Sequence, residues 1–250
     1  MIPRVIHYCW FGGGPIPRRI KKCMRSWSRL MPGVEIRRWD ETNYDVQAVP
    51  YMAAAYRDRK WAFVSDYARL DIVYRQGGIY LDVDVELVRS LDPLLGDPAF
   101  CGVERPGVVN TGLVLAAERG NETIRLLRDA YHGYEFLDRE GHFSSPPCPV
   151  LQTRELQVFG LTDSEDVQVV RGLKVYPKDY FSPVNLETFK VHRVATTYAI
   201  HRYLGSWKSP KDIVVKNIIA GLSAVLGEKA VYRLIRWKER IKPRKGGNIA

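Results

Sequence analysis

The sequence predicts an α/β fold, a largely parallel sheet covered by helices on both sides. Three observations carry this. Short apolar strands alternate with amphipathic helical stretches along the chain. Glycine and proline punctuate the boundaries between them. The length, 250 residues at 46% apolar and 26% charged, suffices for a sizeable core and excludes bulk disorder and collagen-like repeats. Residues 4–10 read as a first strand, ended by Gly12-Gly13-Gly14-Pro15. Residues 17–30 read as a basic helix with Pro17 suited to its first turn, and residues 34–39 as a second strand. A helix over residues 61–76 is stopped by Gly77-Gly78, and a strand over residues 79–88 follows. Residues 100–103 and 112–116 read as strands, residues 122–131 as a helix, the Gly/Ser/Pro-rich residues 141–149 as a loop, and residues 196–201 as a late strand. Two helices, residues 212–226 and 228–240, close the chain.

Charge is unevenly placed. The net charge is +10, yet residues 208–250 hold eleven Lys/Arg against three Asp/Glu, which leaves the first 207 residues near neutrality. A domain over residues 1–207 with a basic amphipathic helical tail over residues 208–250 is therefore expected. Basic helices bearing Trp237 among apolar positions suit an anionic membrane surface, and packing on the domain accounts for the same pattern. A near-neutral main domain argues against an extended nucleic-acid groove and so against a specific nucleic-acid partner. Four cysteines without CxxC spacing read as buried reduced thiols in a cytoplasmic protein, peripheral to the membrane at most. The N-terminal apolar run reads as too short and too polar for a signal peptide, and no run of 18 apolar residues occurs in the sequence.

The most informative stretch is Gly77-Gly78-Ile79-Tyr80-Leu81-Asp82-Val83-Asp84-Val85-Glu86-Leu87. Read as one strand, it places Asp82, Asp84 and Glu86 on one face, with Asp82 and Asp84 about 6.6 Å apart. Two carboxylates so close repel, and a hard divalent cation uses both. Ligands in open α/β sheets gather at carboxyl ends of strands, where this pair falls. A bare Asp-x-Asp is common, and a solvated edge strand is the bland alternative. Asp66 and Arg69 lie three apart on one helix face, which also describes an ordinary ion pair. His7 alternates within its strand as a structural residue.

Ser65-Asp66-Tyr67-Ala68-Arg69-Leu70 followed by Gly77-Gly78-Ile79-Tyr80-Leu81-Asp82-Val83-Asp84 resembles the DXD region of glycosyltransferase family 32. It is also similar to the catalytic core of the glucosylating bacterial toxins. Residues 3–13 resemble the family's first strand, and His201-Arg202-Tyr203-Leu204-Gly205-Ser206-Trp207 resembles its closing signature. The resemblance spans roughly residues 1–207 and is weakest in the middle third. It implies a GT-A (Rossmann-like, nucleotide-sugar-binding) fold, a nucleotide-sugar donor, Mn²⁺ or Mg²⁺, and retention of anomeric configuration. By the same resemblance, Trp10 stacks on the nucleotide base, Asp66 and Arg69 meet the donor sugar, and Tyr80 lies near the donor. Asp84 and His201 ligate the metal, and Asp82 binds ribose or sugar hydroxyls and reaches the metal through water. Asn110 lies near the reacting carbon, and Ser206 and Trp207 contact the leaving diphosphate. Imidazole with carboxylate favours Mn²⁺ over Mg²⁺. The expected activity is hexose transfer, from a UDP-sugar rather than GDP-mannose, to a glycan or lipid-linked oligosaccharide in polysaccharide or capsule biosynthesis. The competing expectations are a metal-dependent phosphohydrolase using the same Asp pair, and a non-enzymatic basic protein binding nucleic acid or membrane.

Overall fold

The computed structural model describes residues 1–205 and 210–241. Its strands are β1 (Val5–Cys9), β2 (Glu35–Trp39), β3 (Gly78–Tyr80), β4 (Val85–Leu87), β5 (Ala99–Arg105), β6 (Val108–Val109), β7 (Leu115–Ala117), β8 (Gln168–Val170), β9 (Leu173–Tyr176) and β10 (Ala199–His201). Its helices are α1 (Arg18–Leu30), α2 (Pro50–Arg57), α3 (Trp61–Gln76), α4 (Glu122–Asp129), α5 (Cys148–Gln157), α6 (Lys178–Phe181), α7 (Pro210–Leu226) and α8 (Glu228–Ile241). The chain forms two compact units, one of residues 1–183 and 193–207, the other of residues 184–192 and 208–250.

In the first unit the sheet order is β2-β1-β3-β7-β5-β9-β8, with β6 beside β5. The β1–β2, β1–β3 and β5–β9 pairs are parallel, and β7 is antiparallel to both its neighbours. Strands β2, β1, β3, β5 and β9 therefore share one direction, against β7 and β8. The fold is α/β with the expected Rossmann-like run of parallel strands at its N-terminal side. Period-two alternation sends successive residues to opposite faces. Ile6, Tyr8, Ile79 and Phe100 enter a core with Trp27 of α1 and Met31 just after it. Cys9, Tyr80, Cys101 and Leu115 enter a second core with α2, α3, α4 and α5. Burial on both faces explains why β1 and β5 read as nearly continuous apolar runs.

His7 shows how the site's strand is anchored. Its ring is 1% exposed. Trp39 donates its indole N–H to Nδ1 at 3.1 Å, so Nε2 carries the proton and donates to the Gly77 carbonyl at 2.9 Å. Gly77 and Gly78 both have positive φ, and a Cβ at Gly78 would lie 2.9 Å from the Val5 carbonyl oxygen. Only glycine lets α3 turn into β3 against β1 this closely.

Three sequence expectations need correction. The segment read as one strand, residues 79–88, is broken. β3 ends at Tyr80, residues 81–84 form a connection with a turn, and β4 pairs antiparallel with β10 in a separate two-stranded sheet. Asp82 and Asp84 therefore do not share the face of one strand. The turn wins because Asp82 N–H bonds the Gly112 carbonyl and Val85 N–H the Asp82 carbonyl, at 3.1 and 2.9 Å. Secondly, α5 begins within the expected loop at Cys148, where Pro147 and Pro149 are compatible with a helix start. Thirdly, α2 and the β8–β9 hairpin occupy stretches with no predicted element.

In the second unit, Val184 and Val191 form a bridge, Thr188 donates to Glu228 at 2.7 Å, and His192 pairs with the same carboxylate at 2.9 Å. Among the described residues no helix is long and apolar enough to cross a membrane. All four cysteines are buried and free.

Candidate active site

The site is built where β3 leaves the sheet. α3, buried along the stretch from Asp66 to Val73, directs Asp66 and Arg69 toward the end of β3. Arg69 is 4% exposed and binds two carboxylates through one nitrogen, Asp66 Oδ1 at 3.0 Å and Asp82 Oδ1 at 3.1 Å. Its other terminal nitrogen faces Cys148 Sγ at 3.5 Å, at the start of α5. The Tyr80 hydroxyl donates to the same Asp82 oxygen at 3.0 Å, and the Arg69 guanidinium lies 5.2 Å from the Tyr80 ring centre. Burial raises the Asp66 carboxyl to about 6, and Asp82 adds to the rise, although Arg69 opposes it. An ion pair alone would depress that value; desolvation dominates because α3 carries Asp66 into the interior.

Asp84 occupies the turn into β4. Its backbone carbonyl accepts from Arg202 N–H at 3.0 Å, and its Oδ2 from Leu204 N–H at 2.7 Å. His201, at the end of β10, brings Nε2 to 3.1 Å from Asp84 Oδ1 and 3.9 Å from Asp82 Oδ2. Ligand atoms of Asp82, Asp84 and His201 thus lie within 4.8 Å of one another. Burial pushes Asp84 upward, but the His201 charge and the Leu204 N–H outweigh it and hold the carboxyl at about 2. Burial likewise lowers His201, and the Asp84 charge and hydrogen bond reverse the direction to a net rise. The Tyr203 ring stands edge-on to His201 at 4.1 Å and so walls one side.

The remaining expected residues divide. Asn110 adjoins the cluster, accepting Gly112 N–H at 2.8 Å and donating to Glu104 at 2.9 Å. That local bonding is the ordinary role of an Asn before a turn. Trp10 follows β1 directly and is half-buried, with its indole N–H donating to the Gly14 carbonyl at 2.7 Å. Tyr80 is only 1% exposed and reaches the site through its hydroxyl. Ser206 and Trp207 lie outside the described residues. Ser65 caps nothing and bonds the Trp61 carbonyl within α3. Glu86 binds Arg202 at 2.8 Å, away from the cluster.

Two participants carried no sequence signal. Cys148 lies against Arg69 from 79 residues away. At Gly112 a Cβ would stand 2.2 Å from Asp82 Oδ2, so the position requires a residue without one. The Thr111-Gly112 pair reads as any turn; only the fold shows that it faces a carboxylate.

Residues 17–101 match the family model described as "Glycosyltransferase sugar-binding region containing DXD motif". The region contains Asp66, Arg69, Tyr80, Asp82 and Asp84, while Trp10, Asn110 and His201 lie beyond it. Over 132 residues the chain is 32% identical to inositol phosphoceramide mannosyltransferase 3 of Schizosaccharomyces pombe, covering 51% of this chain and 37% of that protein. Over 188 residues it is 27% identical to lactosylceramide 4-alpha-galactosyltransferase of Rattus norvegicus, covering 68% of this chain and 50% of that protein. The chain thus spans half or less of the length of these relatives. Among solved structures it is similar to the PaToxG glycosyltransferase, at a TM-score of 0.48 and 17% identity over 63% of this chain and 68% of that one. It is also similar to the galactosyltransferase LgtC, at 0.43 and 15% over 88% and 95%. The family-model match and the sequence relatives agree with the resemblance to a DXD glycosyltransferase read from the motifs.

Proposed function

We propose that this chain transfers a hexose from a nucleotide sugar to a glycan or glycolipid acceptor, with retention of configuration and dependence on a divalent cation. The observation that carries the reading is the convergence of Asp82 and Asp84, from the connection between β3 and β4, with His201 of β10. Two carboxylates and one imidazole form a donor set suited to Mn²⁺, with Mg²⁺ the second choice because it prefers oxygen alone. Bound there, the cation would neutralise negative charge on the departing nucleoside diphosphate.

The protein's own residues define the rest. Asp84 stays ionised throughout the working pH range because His201 and the Leu204 N–H stabilise its charge. Arg69 and Tyr80 pin one oxygen of Asp82, leaving Oδ2 toward the cluster. Asp66, at the other end of the Arg69 bridge, serves donor hydroxyls. Trp10 offers a ring face to the base, an interaction worth ~1–3 kcal/mol. Asn110 is assigned beside the reacting carbon, and Ser206 and Trp207 to the leaving diphosphate. No further carboxylate in the motifs serves as a nucleophile, which favours attack on the same face with the departing phosphate taking the acceptor proton.

The named relatives act on mannosyl and galactosyl groups and on ceramide-based acceptors, which supports a hexose donor and a lipid-linked or glycan acceptor in polysaccharide or glycolipid assembly. UDP-sugars are the first donors to test and GDP-mannose the second. Residues 208–250 would bring the domain to an anionic membrane surface. A thermal-shift panel of UDP- and GDP-sugars with and without Mn²⁺, run on the native chain and on Asp84→Ala, tests the central claim. Stabilisation should require metal and nucleotide together and disappear in the variant. Stabilisation that ignores the metal, or survives Asp84→Ala, rejects the assignment. Turnover that releases free sugar or phosphate and never glycosylates an acceptor would favour the phosphohydrolase.

A further inference from the structure

Helix α1 carries a one-sided charge that the transfer site does not use. Arg18, Lys22, Arg25 and Arg29 recur at intervals of four, three and four residues, and all are exposed. At 100° per residue they fall within about 60° of the helix circumference. The opposite face, with Ile20, Cys23 and Trp27, is buried. Some exposed arginines elsewhere are paired, as in Arg4–Asp92 and Arg125–Glu122. Among the described residues none of the four α1 cations forms an ion pair, and α1 contains no acidic residue. An uncompensated stripe of this kind opposes folding by self-repulsion and is relieved by an anion.

The stripe also borders a cavity. Lys22, Arg25, Ser26, Ser28, Arg29 and Glu86 line a space of about 530 Å³. Its single carboxylate, Glu86, is already bound by Arg202 at 2.8 Å, so the three cations dominate the field inside. The cavity is tied to the site by short bonds. Trp27 Nε1 donates to the Val85 carbonyl at 2.8 Å, and Leu87 N–H donates to Ser26 Oγ at 2.8 Å. These fix α1 to β4, the strand that starts one residue after Asp84. Trp10, Asp82, Asp84 and His201 are not among the lining residues, which separates this space from the one assigned to the donor.

We propose that this cavity is a phosphate subsite for the acceptor: Lys22, Arg25 and Arg29 bind a phosphate group carried by the molecule that receives the sugar, and hold it beside the metal cluster. The assignment of the phosphate to an acceptor rests on the transferase reading; the anion site itself does not. Three unpaired cations around a concave space match a compact phosphate better than a weakly charged glycan. Two sources share that chemistry, a lipid headgroup and a soluble phosphorylated compound.

The test measures binding of the full chain to phosphatidylcholine vesicles containing phosphatidic acid, and separately to glycerol 3-phosphate. Both are repeated on Arg25→Gln/Arg29→Gln, and on Arg57→Gln/Lys60→Gln, which removes equal charge from another exposed region. Each cation near a phosphate surface is expected to contribute about fivefold in affinity, hence on the order of 25-fold for the α1 pair. The α1 variant should lose that factor and the control under threefold, in the vesicle arm for a lipid source or the soluble arm for a free one. Equal losses in both variants would show bulk charge alone and overturn the proposal, as would undiminished binding by the α1 variant. Displacement of either probe by UDP with Mn²⁺ would give the cavity to the donor and also overturn it. The UDP–Mn²⁺ thermal shift on the same samples separates the two readings. Phosphate binding that does not depend on α1, with the shift intact, sinks only the subsite; α1-dependent binding without the shift sinks only the transferase.

Discussion

Gly112→Ala is the sharpest probe of how the cluster is positioned. Gly112 has no special backbone angle; what it supplies is room. A Cβ there would sit 2.2 Å from Asp82 Oδ2 and 3.0 Å from both Asp82 Cγ and Asn110 Oδ1, whereas ordinary contact starts at 3.4 Å. Asp82 would have to retreat by about 1 Å, since relieving a 2.2 Å contact to an ordinary one needs that order of movement. Retreat strains the bonds from Arg69 at 3.1 Å and Tyr80 at 3.0 Å to its other oxygen, and shifts Oδ2 relative to His201. Overpacking of this sort costs about 1–3 kcal/mol in stability. A 1 Å misplacement in an active site lowers rate by roughly 10²-fold. The assay is nucleotide-sugar turnover with saturating Mn²⁺, alongside Mn²⁺ titration and thermal melting. Gly96→Ala is the control, because nothing lies within 4 Å of a Cβ there. If Gly112→Ala kept turnover and Mn²⁺ affinity within threefold of the parent, the claim that Asp82 is held in place for chemistry would fail.

Other outcomes can be stated briefly. Mn²⁺ at a hundred times its Kd should stabilise the native chain by about 2.7 kcal/mol, and chelation should remove the whole effect; a melting curve indifferent to Mn²⁺ and chelator denies the metal site. Arg69→Lys cannot serve Asp66 and Asp82 together, so it should destabilise by about 3 kcal/mol, or roughly 10 °C in Tm, and depress turnover; an unchanged Tm contradicts the bridge. His7 is lowered by burial from 6.5 to about 4. Its neutral form is the folded one, so its contribution is complete above pH 6.5 and is lost as pH falls from there toward 4, by about 3 kcal/mol. Denaturant unfolding at pH 7 and 4.5 should show this slope in the parent and its loss in His7→Gln. The raised Asp66 works in the opposite sense and cancels in that comparison, and parallel slopes would refute the neutral-histidine account.

The elements legible in sequence were those whose local pattern and tertiary role agree. β1, α1 and α3 each pair a clear period with glycine or proline at their boundaries, and Asp66, Arg69, Asp84 and His201 sit in motifs that the fold brings together. The break after Tyr80 was not legible because Leu81-Asp82-Val83-Asp84-Val85-Glu86-Leu87 keeps strict alternation through a turn. What bends the chain there is distant, the Gly112 carbonyl and the Leu204 N–H. α5 was hidden by its prolines, which look like loop residues until the structure shows them opening a helix. Gly112 and Cys148 were hidden for the same reason, since their role depends on neighbours far along the chain.

The antiparallel ladder of β4 and β10 joins Val85 to His201, 116 positions apart. A ribosome emits the Asp pair early, with the sheet's first strands, yet nothing can close around a metal until the last tenth or so of the first unit has emerged. Nascent protein therefore cannot offer the full triad to a divalent cation until His201 has emerged. A chain cut short before His201 would keep much of the sheet and have no place to finish the centre.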